Sequence, residues 1–418
     1  TNTTGSYNVA IGHNALNLNT TGGQSTAVGY IAGQNNTTGS FTAVGYRALY
    51  SNTTGNTGVA VGHDALFANT TGGDNTAVGA FALKANTTTS RNTALGYAAL
   101  TANTASDNVA VGYQAADSTT SGSNNTVVGT EAFQTNTTGS ANVAMGYRAL
   151  DANTTASNNV AIGQNALGSN TTSSYNVAVG FGSLGNQTTA GGAVNVAVGH
   201  QSMANNTTGG YNAILGGNAL YSNTSGNYNS GLGFSALYSN TTGGNNVAVG
   251  YQALNANTTT SNSTAVGYQA MLDSTGGNNT AVGFQALQTN NLAGSNNTAV
   301  GYQANRNNTS GNYNVSIGLQ TLLSNTTGTA NTALGYQSLN ANTTADNNTA
   351  VGYQAGYTNS TGTYNTALGR AALKLNTTAS SNTAVGGDAM FETTTGANNT
   401  ALGAYALNKN TSGAGNVA

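Results

Sequence analysis

The sequence predicts an all-β fold, a parallel β-solenoid (β-roll) of about 24 stacked 17-residue coils, and three observations carry that prediction. A glycine closing an "AVG"-like tripeptide recurs from Gly12, Gly29, Gly45 and Gly62 to Gly386 and Gly403, 24 times at a mean spacing of 17 residues. Five intervals depart, with lengths of 16, 18 or 19, and the change falls in the "NTTGSNN" stretch. Length changes confined to one turn at a fixed period are the signature of a solenoid. The chain also lacks Pro, which would remove a hydrogen bond from any ladder between coils.

The consensus unit is N-T-A-V-G-Y-Q-A-L-x-A-N-T-T-G-S-N. "NTAVG" alternates and is partly β-branched, which predicts a short strand. The glycine then supplies a bend or a positive φ. "YQALxA" fits either a second short strand or a single helical turn, and "NTTGS" is turn chemistry. Ile11, Val28, Val44 and their equivalents precede the glycine, nearly always after an Ala, and Leu dominates four residues after it, as in Leu16, Leu49 and Leu254. None of the 18 charged residues falls in these rows, so the Val, Ala and Leu rows are expected to form the core. A Val and a Leu contribute roughly 1.5–3 kcal/mol each when buried. That is little for 17 ordered residues, so each coil must stack on its neighbours, at a rise of about 4.8 Å. Asn begins the strand in 20 of 24 units and opens the turn in 20 of 24, which predicts Asn ladders. Residues 1–418 read as one continuous array, a window of a longer fibre, since "GNVA" stops one step short of another "VG".

Composition narrows the function. Ordinary domains are about a quarter charged; here charged residues make up 4%, with a net charge of −2. No basic stripe is available for nucleic acid. No apolar run reaches the roughly 20 residues that span a bilayer, so no membrane insertion is expected in this segment. The absence of Cys removes disulfides and thiolate metal sites.

Candidate functional residues are few. His13, His63 and His200 all follow a register glycine, the slot otherwise held by aromatics, and no two lie in adjacent coils, so no metal site converges. The carboxylates form no acid/base dyad, and no nucleophile elbow or phosphate loop is present. No catalytic residue, metal or cofactor is expected. The turn-opening Asn matches the glycosylation sequon in 18 of 24 units. These candidates include Asn19, Asn36, Asn52, Asn69, Asn86, Asn136, Asn153, Asn170, Asn206, Asn240, Asn257, Asn325, Asn342 and Asn376. The paired Thr of each turn form rows that could match an ice lattice, although two adjacent strand residues would point to opposite faces. The aromatic row holds Tyr30, Tyr46, Tyr97, Tyr113, Tyr147, Tyr251, Tyr268, Tyr302, Tyr336 and Tyr353. If it faces out, it is a binding or contact surface for sugars or a neighbouring chain; if it faces in, it is core. The irregular coils Gly180–Gly199 and Gly283–Gly301 are the places to look for a local site.

The strand segments "NVAIG" at 8–12, "NTAVG" at 75–79 and "NVAVG" at 246–250 resemble the N-x-A-[VI]-G core of head-domain repeats in trimeric autotransporter adhesins, and related repeats of phage tail fibres. The resemblance runs through essentially every unit, while the "YQALxANTTG" half is longer than in that family. It implies a left-handed β-roll, three chains side by side, and display on a cell or virion surface for attachment. The expected function is an extracellular structural or adhesive fibre, a spacer and attachment surface without enzymatic activity. Its expected partners are copies of itself and surface glycans, and the alternative is an ice-binding or densely glycosylated solenoid.

Overall fold

A computed structural model describes residues 2–188, 194–289 and 294–418. The extra residues of the two irregular coils, 189–193 and 290–293, lie outside the described residues. The chain divides into two units, Thr1–Tyr211 and Asn212–Ala418. Each is a parallel β-solenoid, and neither contains a helix among the described residues. The first unit runs from β1 (Val9–Ile11) to β12 (Val196–Val198), the second from β13 (Ala213–Leu215) to β24 (Thr400–Leu402). Strands are three residues long except β3 (Phe41–Val44) and β4 (Gly58–Val61). Each strand within a unit pairs in parallel with the next at the repeat register, Ala10 against Ala27 in the first unit and Ala248 against Ala265 in the second.

The register glycine ends the strand at a close approach of adjacent coils. Gly250 has a φ of 133°, and a Cβ there would stand 2.3 Å from the carbonyl oxygen of Gly267. No other residue fits.

The second half of the coil is neither a strand nor a helical turn. It is a chain of turns in which residues two and four after the glycine take positive φ, Gln252 at 53° and Leu254 at 53°. L-residues avoid this region at a cost of roughly 1–2 kcal/mol each. The geometry explains why it is tolerated. Gln252 donates its N–H to Phe234 O of the preceding coil at 2.9 Å, and Leu254 donates its N–H to Ala270 O of the following coil at 3.0 Å. Turn bonds from Ala253 N–H to Gly250 O and from Asn257 N–H to Leu254 O close the limb. A helical turn would spend its N–H groups within the coil and leave the stack unbonded. A third positive φ, at Asn245 (57°), sets the entry to the strand and sends its N–H to Asn227 O.

The core is narrower than the sequence suggests. The strand Ala (Ala27, Ala43, Ala248), the Ala three after the glycine (Ala32, Ala48, Ala253) and the Leu beyond it (Leu49, Leu254) are fully buried. The row of Ile11, Val28 and Val44, expected in the core, faces outward instead. Ile11 is 60% exposed and Leu232 47%, while Val28 and Val44 are half-buried. The reason is the period of two along a strand: in N-T-A-V-G the Asn and Ala share the inner face, so the Thr and Val must share the outer one. The solenoid stands on Ala, Leu and interior Asn.

One coil shows how tightly that interior is filled. Phe41 replaces the strand Asn and is buried, while Gly33 of the preceding coil replaces the core Leu. A Cβ on Gly33 would lie 2.4 Å from Phe41 Cζ. The ring occupies the volume the Leu gives up.

Candidate functional site

The sequon Asn lie inside. All fourteen named above are at most 1% exposed, and they form one of two interior ladders. Asn69 is representative: its Nδ2 donates to Asn52 Oδ1 of the preceding coil at 2.9 Å and to Gly72 O at 3.0 Å. Asn342 repeats the pattern with Asn325 and Ala345 at 2.9 and 3.1 Å. Both amide hydrogens are used and the nitrogen is walled in, so a glycan on it would have to break two bonds and pass through the coil. These residues are ladder members, as the Asn rows predict, and the sequon falls on side chains inside the stack. The strand Asn form the second ladder: Asn75 Oδ1 accepts the Asn92 N–H at 3.0 Å, while Asn75 Nδ2 donates to Thr89 O at 2.8 Å. The first Thr of each turn is also committed along the stack, Thr53 Oγ1 donating to Thr70 O at 3.0 Å.

The aromatic row faces out. Its ten named tyrosines are 42–51% exposed, but most of their ring faces are covered by each other. Tyr30 stacks on Tyr46 at 5.3 Å, Tyr97 on Tyr113 at 5.4 Å, Tyr251 on Tyr268 at 5.4 Å, and Tyr336 on Tyr353 at 5.1 Å. Phe284 links Tyr268 to Tyr302. Such offset stacks contribute roughly 0.5–1.5 kcal/mol per pair beyond burial. Tyr147 has no aromatic beside it in the row; the Arg148 guanidinium lies 5.2 Å from its ring centre. The histidines belong to the row, His13 against Tyr30 at 5.4 Å and His200 against Phe181 at 5.3 Å. No cluster of metal-ligating side chains is present among the described residues. What the row presents outward is a line of phenol edges, so stacking on a sugar is open only where the ladder stops. At Ala80 it does not stop, because Phe81 steps in and meets His63 and Tyr97 edge-on.

Beside the tyrosines runs a second ladder, confined to the second unit. From Gln269 to Gln354, each Gln two residues after the glycine donates Nε2 to the Oε1 of the Gln before it, at 3.0 Å for Gln269 to Gln252 and for Gln354 to Gln337.

Two charged residues are buried, Asp64 and Asp388, and Asp64 is the deeper. Asp64 has a side chain 1% exposed, bound by Arg47 through two bonds of 2.8 and 2.7 Å, with Lys84 at 3.6 Å and His63 at 3.7 Å. Burial pushes the carboxyl up, but the Arg47 hydrogen bonds and charge, with His63 and Lys84 adding, outweigh it and hold the pKa below the ordinary value. A lone carboxylate neutralised by cations braces three coils together; it has no second acid to work with.

The surface that sequence reasoning missed is the outer strand face. Its two rows, Thr or Val (Ala213 and Ser230 in two coils) three residues before the register glycine and Val, Leu, Ile or Met directly before it, hold no charge in any coil of either unit. Leu95, Met145, Ile162, Leu215, Leu232, Ile317 and Leu334 are all more than a third exposed. Strict alternation within "TAV" was the signal that could have found it. No helix among the described residues is long and apolar enough to cross a membrane. The chain matches no protein-family model, and comparison with curated proteins and with solved structures gives no significant match for either.

Proposed function

We propose that this chain is a structural and adhesive fibre module of an extracellular surface, a spacer and attachment element without catalytic activity, and that it works as a homo-oligomer or filament whose copies meet through the outer strand face. The observation that carries this reading is the uncharged apolar stripe repeated on every coil. Exposed apolar patches beyond a few hundred Å² mark interaction sites on soluble proteins. The spacing of this stripe selects the partner: side chains recurring at the strand repeat of about 4.8 Å are matched in step by another surface with the same repeat, and a second copy has it. The resemblance of "NTAVG" to adhesin-head repeats points the same way and favours three chains.

The experiment is sedimentation velocity at micromolar concentration. The chain, 41.3 kDa, is expected to run as a defined oligomer. A variant carrying Leu215→Lys, Leu232→Glu, Val249→Lys and Val266→Glu, whose alternating charges can pair along the row, is expected to dissociate while its far-ultraviolet circular dichroism is unchanged. A wild-type chain that stays monomeric at tens of micromolar would refute the proposal.

A further inference from the structure

Both surface ladders of the second unit end at the same coil. In the aromatic row, Tyr353 is followed by Arg370, Gly387 and Ala404; in the glutamine row, Gln354 is followed by Ala371. The consequence is a cavity of about 440 Å³ bordered by Tyr353, Gln354, Arg370, Lys374, Asp388 and Glu392. One face of Tyr353 is covered by Tyr336; the other borders the cavity. Gln354 gives its Nε2 to Gln337, and its Oε1, which in every earlier rung accepts from the next Gln, faces a coil that has Ala there. Arg370 does not replace the missing ring, because its Nη2 turns to Asp388 Oδ2 of the next coil, and its side chain is 63% exposed. Lys374 is held 5.5 Å from the Phe391 ring centre. Space beyond Gly387 is open, with no atom within 4 Å of a Cβ placed there.

We infer that this cavity is a carbohydrate site that takes a neutral pyranose. A free aromatic face at the floor suits the apolar face of a sugar ring. Around it stand the Gln354 amide oxygen, the Lys374 ammonium and the Glu392 carboxylate, with the Arg370–Asp388 pair beside them, which suits the alternating donor and acceptor character of sugar hydroxyls. The four charges cancel, so the site offers no net attraction to a phosphate or an acidic ligand, and nucleic acid, which needs a positive groove, is disfavoured. The volume lies within the range of roughly 300–1,000 Å³ usual for small-molecule sites. Four of the chain's 18 charged residues stand on one cavity where two repeat rows break together; the Arg370–Asp388 pair joins adjacent coils as Arg47–Asp64 does, and Lys374 and Glu392 are left to the cavity. The site lies within one chain and is independent of self-association through the strand face.

Saturation-transfer NMR on the full chain with methyl α-mannopyranoside, methyl β-galactopyranoside and methyl N-acetyl-β-glucosaminide tests it. At least one glycoside is expected to receive saturation, and Tyr353→Ala is expected to abolish the transfer while Tyr97→Ala, inside the ladder of the first unit, leaves it intact. The double variant Arg370→Tyr, Ala371→Gln restores the repeat consensus, so it is expected to fold as well as the wild type and to lose binding because the ladders now run on through the cavity. Transfer to none of the glycosides, transfer that survives either variant, equal loss in Tyr97→Ala, or binding of inorganic phosphate alone would each overturn the inference.

Discussion

At the scale of single residues the interior is unforgiving, and its exceptions are informative. Asn305 sits at the position held elsewhere by the core Leu, fully buried, and neither polar atom of its amide finds a hydrogen-bonding partner among the described residues. Leaving a buried polar group unpaired costs about 1–3 kcal/mol, and Asn305 has the same positive φ (49°) that Leu adopts in other coils, such as Leu287 at 49°. Asn305→Leu is therefore expected to stabilise the chain by about 1–3 kcal/mol, read as a rise in the midpoint of chemical denaturation. Asp64 gives a pH dependence whose sign follows from its lowered pKa. Its contribution is present above the unfolded-state value near 3.9 and is lost as pH falls through the folded value. Between pH 6 and pH 3 the wild type is expected to lose more stability than Asp64→Asn does, measured by thermal melting at each pH. Equal losses would show that the Arg47 pairing contributes nothing.

Among the elements, the strand was legible and the limb after it was not. "NTAVG" announces its bounds through β-branched residues and a terminal glycine. Its facing could also have been read, since Asn, already expected in a ladder, shares a face with Ala and excludes Val. "YQALxA" misleads because Gln, Ala and Leu favour helices, and helix propensity says nothing of a limb whose N–H groups are claimed alternately by the coils above and below. Only the stack makes positive φ at Gln252 and Leu254 favourable, and a single coil's sequence cannot show that. The Asn rows were legible as ladders, and the sequon they also spell falls on these interior side chains. At the Gly row the demand is strictest. Gly250→Ala forces a Cβ to within 2.3 Å of Gly267 O at a φ that costs an L-residue about 1–3 kcal/mol. Loss of at least that much stability is expected in urea unfolding, against a near-neutral outcome for an exposed change such as Thr54→Ala.

For the molecule as a whole, stability in a repeat array is approximately a sum of coil and neighbour contributions. Whole coils should therefore be removable where fragments are not. Excising Asn246–Asn262, one complete repeat inside the second unit, is expected to leave circular dichroism per residue unchanged and unfolding cooperative. Excising only residues 246–253 removes the strand and register glycine of one coil while keeping its turn, which leaves one layer of the stack incomplete, and is expected to broaden the transition or abolish its cooperativity. The cavity beside Tyr353 belongs to this scale too. Each of its residues is unremarkable in its own unit, and the signal was that the aromatic and glutamine rows leave consensus in the same repeat, visible only when units are aligned and read across.

A chain of near-identical units faces a hazard that ordinary domains do not: a segment can thread one layer too early or too late and still satisfy almost every bond. The fit of Phe41 beneath Gly33 counters that error. Displaced by a single layer, the ring would strike a leucine while the hollow at Gly33 stood empty, so this pair indexes the assembly and tells the folding chain which storey it has reached.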